Sequence, residues 1–195
     1  MRGAQSVPVL TLACAVVTAF VGACAPSFRF KKDARPVVVD QEAYAVYAAV
    51  LAAEPAELPM PRVVAAETQR LRVSGCGPTV ENASNPWRGA VDDFLAQNNT
   101  PHRILPRIPA PSSSYVVLTR DQIARRVRST GHGGGHIEFS NVGFDTARTR
   151  AIVYREHVCH GFVDCGNGGD LFLEKGSDGW RTVKPVGVTG CGWIT

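Results

Sequence analysis

Arg150-Ala-Ile-Val-Tyr-Arg-Glu-His-Val158 and Leu171-Phe-Leu-Glu-Lys175 are the stretches whose reading decides the fold. In the first run Ile152 and Tyr154 point to one side of an extended chain and Ala151 and Val153 to the other, all of them apolar or aromatic. A strand with two apolar faces needs cover on both. Ile137–Val142 precedes this pair and Trp180–Lys184 follows it, with Val188–Thr195 as a fifth candidate strand. Asp145-Thr-Ala-Arg148 and Gly176-Ser-Asp-Gly179 carry the residues of tight turns. Strands joined so tightly must run antiparallel. The C-terminal half therefore reads as a β-meander, with Trp180 capping its core.

The N-terminal half reads as helical. Asp40 is a good N-cap, and Ala43, Val46, Tyr47, Val50 and Leu51 then recur at helical spacing until Glu54-Pro55. Val63–Leu71 reads as a strand, with a second helix as the alternative, and Gly75–Trp87 is polar and turn-rich. Arg88–Gln97 predicts a short helix with Val91, Phe94 and Leu95 on one face, stopped by Asn98-Asn99 and Pro101. Thr119-Arg-Asp-Gln122 fits a capping box opening a helix that buries Ile123 and Val127 and leaves Arg125, Arg126 and Arg128 towards solvent. The expected fold class is α+β, N-terminal helices packed on a C-terminal antiparallel β-meander.

Several of these pieces recur together in one pattern. Ser140-Asn-Val-Gly-Phe144, Thr149-Arg-Ala-Ile-Val-Tyr154, the Cys/Gly-rich connection from Cys159 to Gly169, and Gly179-Trp180 resemble the signature of a family of uncharacterised bacterial exported proteins. Tyr44–Leu51, Val63–Thr68 and Val91–Leu95 match it loosely. The resemblance implies a fold and supplies no catalytic residue. Gly131-His-Gly-Gly-Gly-His136 and the pair Cys76 and Cys191 depart from that pattern.

The first residues read as an export signal. Arg2 opens a short positive region, Val7–Val21 is apolar apart from Pro8, Thr11 and Thr18, and Val21-Gly22-Ala23-Cys24 resembles a bacterial lipobox. Residues 1–23 are then a cleaved leader, and Cys24 becomes the lipidated first residue of the mature chain. Two alternatives stand beside this reading. One is an ordinary cleaved secretory signal. The other is an uncleaved membrane helix over Val7–Ala25, with Arg29, Lys31, Lys32 and Arg35 on its far side. Cys14 is a competing lipid site, but cleavage there would keep half the apolar segment. Residues 24–39, with Pro26, Pro36 and a basic run, read as a tether, and 40–195 as a single globular domain. Ala25 is not Asp, which by resemblance to lipoprotein sorting favours the outer membrane of a diderm cell.

Composition sets further bounds. A chain of 195 residues with 45% hydrophobic and 19% charged residues is globular in type. Its formal net charge of +4 is too small to argue for nucleic acid. The expected partner is the membrane, through the N-terminal lipid; a protein or small-molecule ligand is left open.

Six cysteines are present. With Cys14 removed and Cys24 lipidated, Cys76, Cys159, Cys165 and Cys191 remain, an even set for an oxidising compartment. The favoured pairing is Cys159–Cys165 with Cys76–Cys191, because the first two flank a short connection between strand-like runs. On the chain-entropy account the short loop contributes about 2.4 kcal/mol and the long one about 5. Free buried thiols are the alternative.

Candidate chemistry is thin. His132, His136, His157 and His160 form the only set that suggests a metal, as histidine is the commonest ligand, but three glycines between the first two oppose a helix there. Cys159-His160 lacks the second cysteine of a haem attachment site, its place being taken by Glu156. Ser112-Ser-Ser114 has no nucleophile elbow. Asp92-Asp93 reads as a solvated helix face, and Asp164 and Asp170 as turn residues. No cofactor is expected. The reading is a membrane-anchored envelope lipoprotein with a non-enzymatic binding or assembly role; the alternative is an exported enzyme or metal-binding protein built on the four histidines.

Overall fold

The computed structural model describes residues 35–54, 61–69, 77–109, 115–130, 135–160 and 166–194. Every described residue belongs to one compact unit, Ala34–Thr195. The leader, Cys24 and the basic run of the tether lie outside the described residues, as do Cys76, His132 and Cys165.

Helix α1 spans Gln41–Ala53, and the Asp40 carboxylate accepts from the Glu42 N–H at 2.9 Å as its N-cap. Strand β1 is Arg62–Ala65, β2 is Thr79–Val80, α2 is Arg88–Gln97, β3 is Tyr115–Leu118 and α3 is Arg120–Thr130. The capping box ahead of α3 is reciprocal: Thr119 N–H donates to Gln122 Oε1 at 2.8 Å, and Gln122 N–H to Thr119 Oγ1 at 3.3 Å. Strand β4 is His136–Phe139, β5 Gly143–Phe144, β6 Arg150–Val158, β7 Asn167–Gly176, β8 Gly179–Val183, β9 Val188–Thr189 and β10 Gly192–Ile194.

The class is α+β, but the sheet is not a simple meander. Eight strands form one mixed sheet in the order β10-β7-β6-β4-β1-β3, with β5 on β6 and β8 on β7; β2 and β9 form a separate two-stranded sheet. Strand β6 pairs antiparallel with β4, β5 and β7, and β7 pairs antiparallel with β8 and β10. Strands β3 and β4 both run parallel to β1. Helix-bearing connections separate β1 from β3 and β3 from β4, which gives the chain the length a parallel return requires.

Strand β6 is central, and its two apolar faces are covered as alternation demands. Ala151 and Val153 join Ile137, Phe139, Leu173 and Val64 under the Tyr47, Val50 and Leu51 face of α1. Ile152 and Tyr154 meet Trp87, Ala90, Val91 and Phe94 around α2. On that second side α3 places Ile123 against Val63 and Ala65. Leu95, expected on the buried face of α2, is 45% exposed. Trp180 is half-buried against the α1 cluster, and its Nε1–H donates to Glu42 Oε1 at 2.9 Å.

Gly143 is where the sheet meets α2. A Cβ there would fall inside the Phe94 backbone, so only glycine admits the helix so closely. The Phe144 N–H also donates to Asp93 Oδ2 at 2.7 Å. Asp93 is therefore a tertiary contact and not the solvated helix residue expected. At the other end, the packed domain takes in the last of the stretch read as tether: Val38 is buried, and its N–H donates to Arg103 O at 2.9 Å.

Candidate functional site

A groove of about 820 Å³ lies where α1 ends over β6, β7 and β10. Val50, Ala53, Leu171 and Ile194 give it apolar walls, and Glu54, Arg155 and Asn167 a polar floor. Each element contributes for a local reason. Pro55 follows Glu54 and disfavours a helical residue before it, so α1 stops with its last carbonyls exposed beside the sheet. Arg62 from β1 donates to Leu51 O and Glu54 O, meeting the negative end of the helix dipole.

The floor is an ion pair. Arg155 binds Glu54 through one terminal nitrogen and Asn167 Oδ1 through the other. The two charged side chains are only 15% and 5% exposed. Arg155 Nε is buried without a hydrogen-bond partner. Such a pair resists loss of either member, because the survivor is a desolvated charge.

The opposite face near β10 is closed by an aromatic contact. Trp193 Nε1–H donates to Tyr154 OH at 2.7 Å, and the indole lies over Gly168. A Cβ at Gly168 would stand 2.6 Å from Tyr154 OH and 2.7 Å from Trp193 Nε1. Beside it, Asp170 is a β7 residue with its carboxyl turned inward, not the turn residue expected. One carboxylate oxygen accepts from Cys191 N–H at 2.8 Å and the other is buried without a partner. Burial pushes this carboxyl up to about 6, against the opposing pull of the Cys191 N–H.

The structure brings two of the four candidate histidines together. His136 Nδ1 lies 2.8 Å from His160 Nε2, the rings nearly parallel, and His136 Nε2 lies 3.1 Å from Glu138 Oε1. An ionised Glu138 only accepts, so His136 Nε2 donates to it, and which of His136 Nδ1 and His160 Nε2 donates to the other is set by their tautomers. Burial, then His136, holds the His160 imidazole below its ordinary range, with Glu138 opposing. This chain can share and pass a proton; it does not converge on a point.

His157 stands apart. It is paired across the sheet with Ile137, whereas His136 is paired with Val158, so the two rings leave opposite faces. His157 lies on the α1 side, with Nδ1 4.0 Å from Cys159 Sγ. Among the described residues no group of three or more His, Cys, Asp or Glu side chains could hold a metal ion. The histidines that are described do not fit the four-ligand set.

Cys159 and Cys191 are both disulfide-bonded, though not within disulfide distance of each other. The pairing expected for them involves Cys165 and Cys76, outside the described residues. Among the described residues, no helix is long and apolar enough to cross a membrane.

Sequence reasoning passed over the groove. Glu54, Arg155 and Asn167 come from the end of α1, β6 and β7 and carry no local motif; the one signal was a charged residue, Arg155, following the apolar Ala151 and Val153 on the same face of its strand. Comparison with protein-family models, curated proteins and solved structures finds no match.

Proposed function

We propose that this protein is a lipid-anchored lipoprotein of the bacterial cell envelope, whose α+β domain is a non-enzymatic binding or assembly module. The observation that carries the reading is Val21-Gly22-Ala23-Cys24 at the end of the apolar leader. Cys24 bears the lipid and residues 24–39 lead to the domain; in a diderm cell the protein goes to the outer membrane. The resemblance to bacterial exported proteins points the same way. Cys159–Cys165 and Cys76–Cys191 are the disulfides of that oxidising compartment.

The groove suits a ligand with an apolar body and a polar end. Val50, Ala53, Leu171 and Ile194 would cover the body, and the Arg155, Glu54 and Asn167 floor would meet the end. In this reading α1 over the β6–β7–β8 meander is the rigid frame of the site.

The experiment is metabolic labelling of the full chain with a palmitate analogue. Wild type takes up label, and Cys24→Ser takes up none and remains a precursor. Equal labelling of the two chains would refute lipidation at Cys24.

A further inference from the structure

A second cavity, of about 280 Å³, lies at the N-terminal end of α1, whereas the groove lies at its C-terminal end. Val38, Ala43 and Val142 line it with apolar groups, and Asp40, Asp93 and Asn141 with polar ones. Asn141 is only 4% exposed. Its Nδ2 is spent on Gln97 O and Thr100 O, and its Oδ1 is buried without a hydrogen-bond partner. An unmet acceptor in the wall of a cavity calls for a donor that the chain itself does not supply.

Arg148 also lines the cavity and shows what kind of cation suits it. Its guanidinium pairs with Asp40 Oδ2 and stands 4.0 Å from the centre of the Phe144 ring. The side chain is 44% exposed, so this hold is weak. Among the described residues Arg148 is also the one non-glycine with a positive φ, at 54°, a backbone that glycine adopts without strain. With Arg148 swung out, Asp40 and Asp93 leave two negative charges in the cavity.

We propose that this cavity binds a short aliphatic diamine. One ammonium group takes the place of the Arg148 guanidinium, between Asp40 and the Phe144 ring. The other donates to Asn141 Oδ1, with Asp93, held in place by Phe144 N–H and Gln97, as its counter-charge. The methylenes lie along Val38, Ala43 and Val142. Two carboxylates match two ligand charges, whereas an anion without donors leaves Asn141 Oδ1 unmet. The site shares no lining residue with the groove and is independent of it.

The test titrates the full nitrogen-15-labelled chain, in detergent micelles at constant ionic strength, with 1,3-diaminopropane or 1,5-diaminopentane, followed by NMR. The diols of the same lengths are the uncharged controls. At least one diamine shifts the Asn141 side-chain amide and the Phe144 N–H saturably, and the diols do not. Asp40→Asn keeps a good N-cap but weakens binding at least about tenfold. Arg148→Gly removes the competing cation and tightens binding about threefold. No saturable shift with either diamine overturns the proposal, since water then suffices for Asn141. Equal response to diamine and diol, wild-type affinity in folded Asp40→Asn, or no tightening in Arg148→Gly overturns it as well. If Asp40→Asn fails to fold, the diamine–diol comparison and Arg148→Gly decide.

Discussion

Asn98 and Asn141 hold each other through both ends of one side-chain amide. Asn98 Oδ1 accepts from Asn141 N–H at 2.8 Å, while Asn98 Nδ2 donates to Asn141 O at 3.0 Å and to Phe94 O at 2.8 Å. Asn141 Nδ2 in turn donates to Gln97 O and Thr100 O. Next to it, Ser140 Oγ accepts from Tyr154 N–H at 2.8 Å, and Ser140 O accepts from the Tyr47 hydroxyl. The Ser140-Asn141 dipeptide thus ties α1, the end of α2 and β6 into one buried polar joint.

Asn98→Ala strips partners from Asn141 N–H and O in a buried site, and should cost about 2–3 kcal/mol by denaturant titration. Asn98→Asp keeps the acceptor for Asn141 N–H but turns its second oxygen towards the carbonyls of Phe94 and Asn141. It should be no more stable than the alanine variant at neutral pH.

Gly143→Ala should cost about 3 kcal/mol, because the new methyl meets the Phe94 backbone, which has no rotamer to change. Thermal melts would show it. A cost below 0.5 kcal/mol, on the scale of about ±0.5 for harmless surface changes, would show that α2 can withdraw freely.

Asp170 gives a pH signature. Its carboxyl lies at about 6 in the folded protein against an ordinary 3.8, so the folded state holds a proton that the unfolded state has released. The stabilisation is full below the unfolded value and is lost as pH rises through about 6. Asp170→Asn should remove that slope and melt at a higher temperature than wild type at pH 7.5.

His157 and His160 act in the opposite sense. Both are lowered by burial from 6.5, so their stabilisation is present above 6.5 and is lost as pH falls below it. Replacing His160 with Asn should flatten the decline on the acid side while leaving the Asp170 slope in place, as followed by melts across the pH range.

Arg155→Met leaves Glu54 buried without its partner and should destabilise the domain by about 3 kcal/mol; adding Glu54→Gln should restore much of that loss. In the binding reading, the double variant also loses affinity for the polar end of a groove ligand. Wild-type affinity in a folded double variant would remove the ion pair from the site.

What was legible in the sequence was local. Asp40, Thr119 and Gln122 cap helices in place, and the two-sided apolar run in β6 marks a central strand wherever it lies. The parallel pairing of Val63 with Val116 and with His136 joins residues far apart in the chain, and no residue-by-residue pattern records it. On sequence alone Gly143 allows a positive φ or a close approach, and only the space beneath α2 makes it the close approach. Asn98 read as a helix stop, which it is, but its hold on Asn141 depends on tertiary approach. The groove shares that character, since Arg155 and Glu54 acquire their meaning only when α1 ends over β6.

The intact mass of the mature chain recovered from the cell envelope tests the central claim most directly. The account predicts a polypeptide that begins at Cys24 and carries the added mass of a diacylglyceryl group. A chain of unmodified mass beginning beyond Cys24, or one that retains residues 1–23, would contradict it.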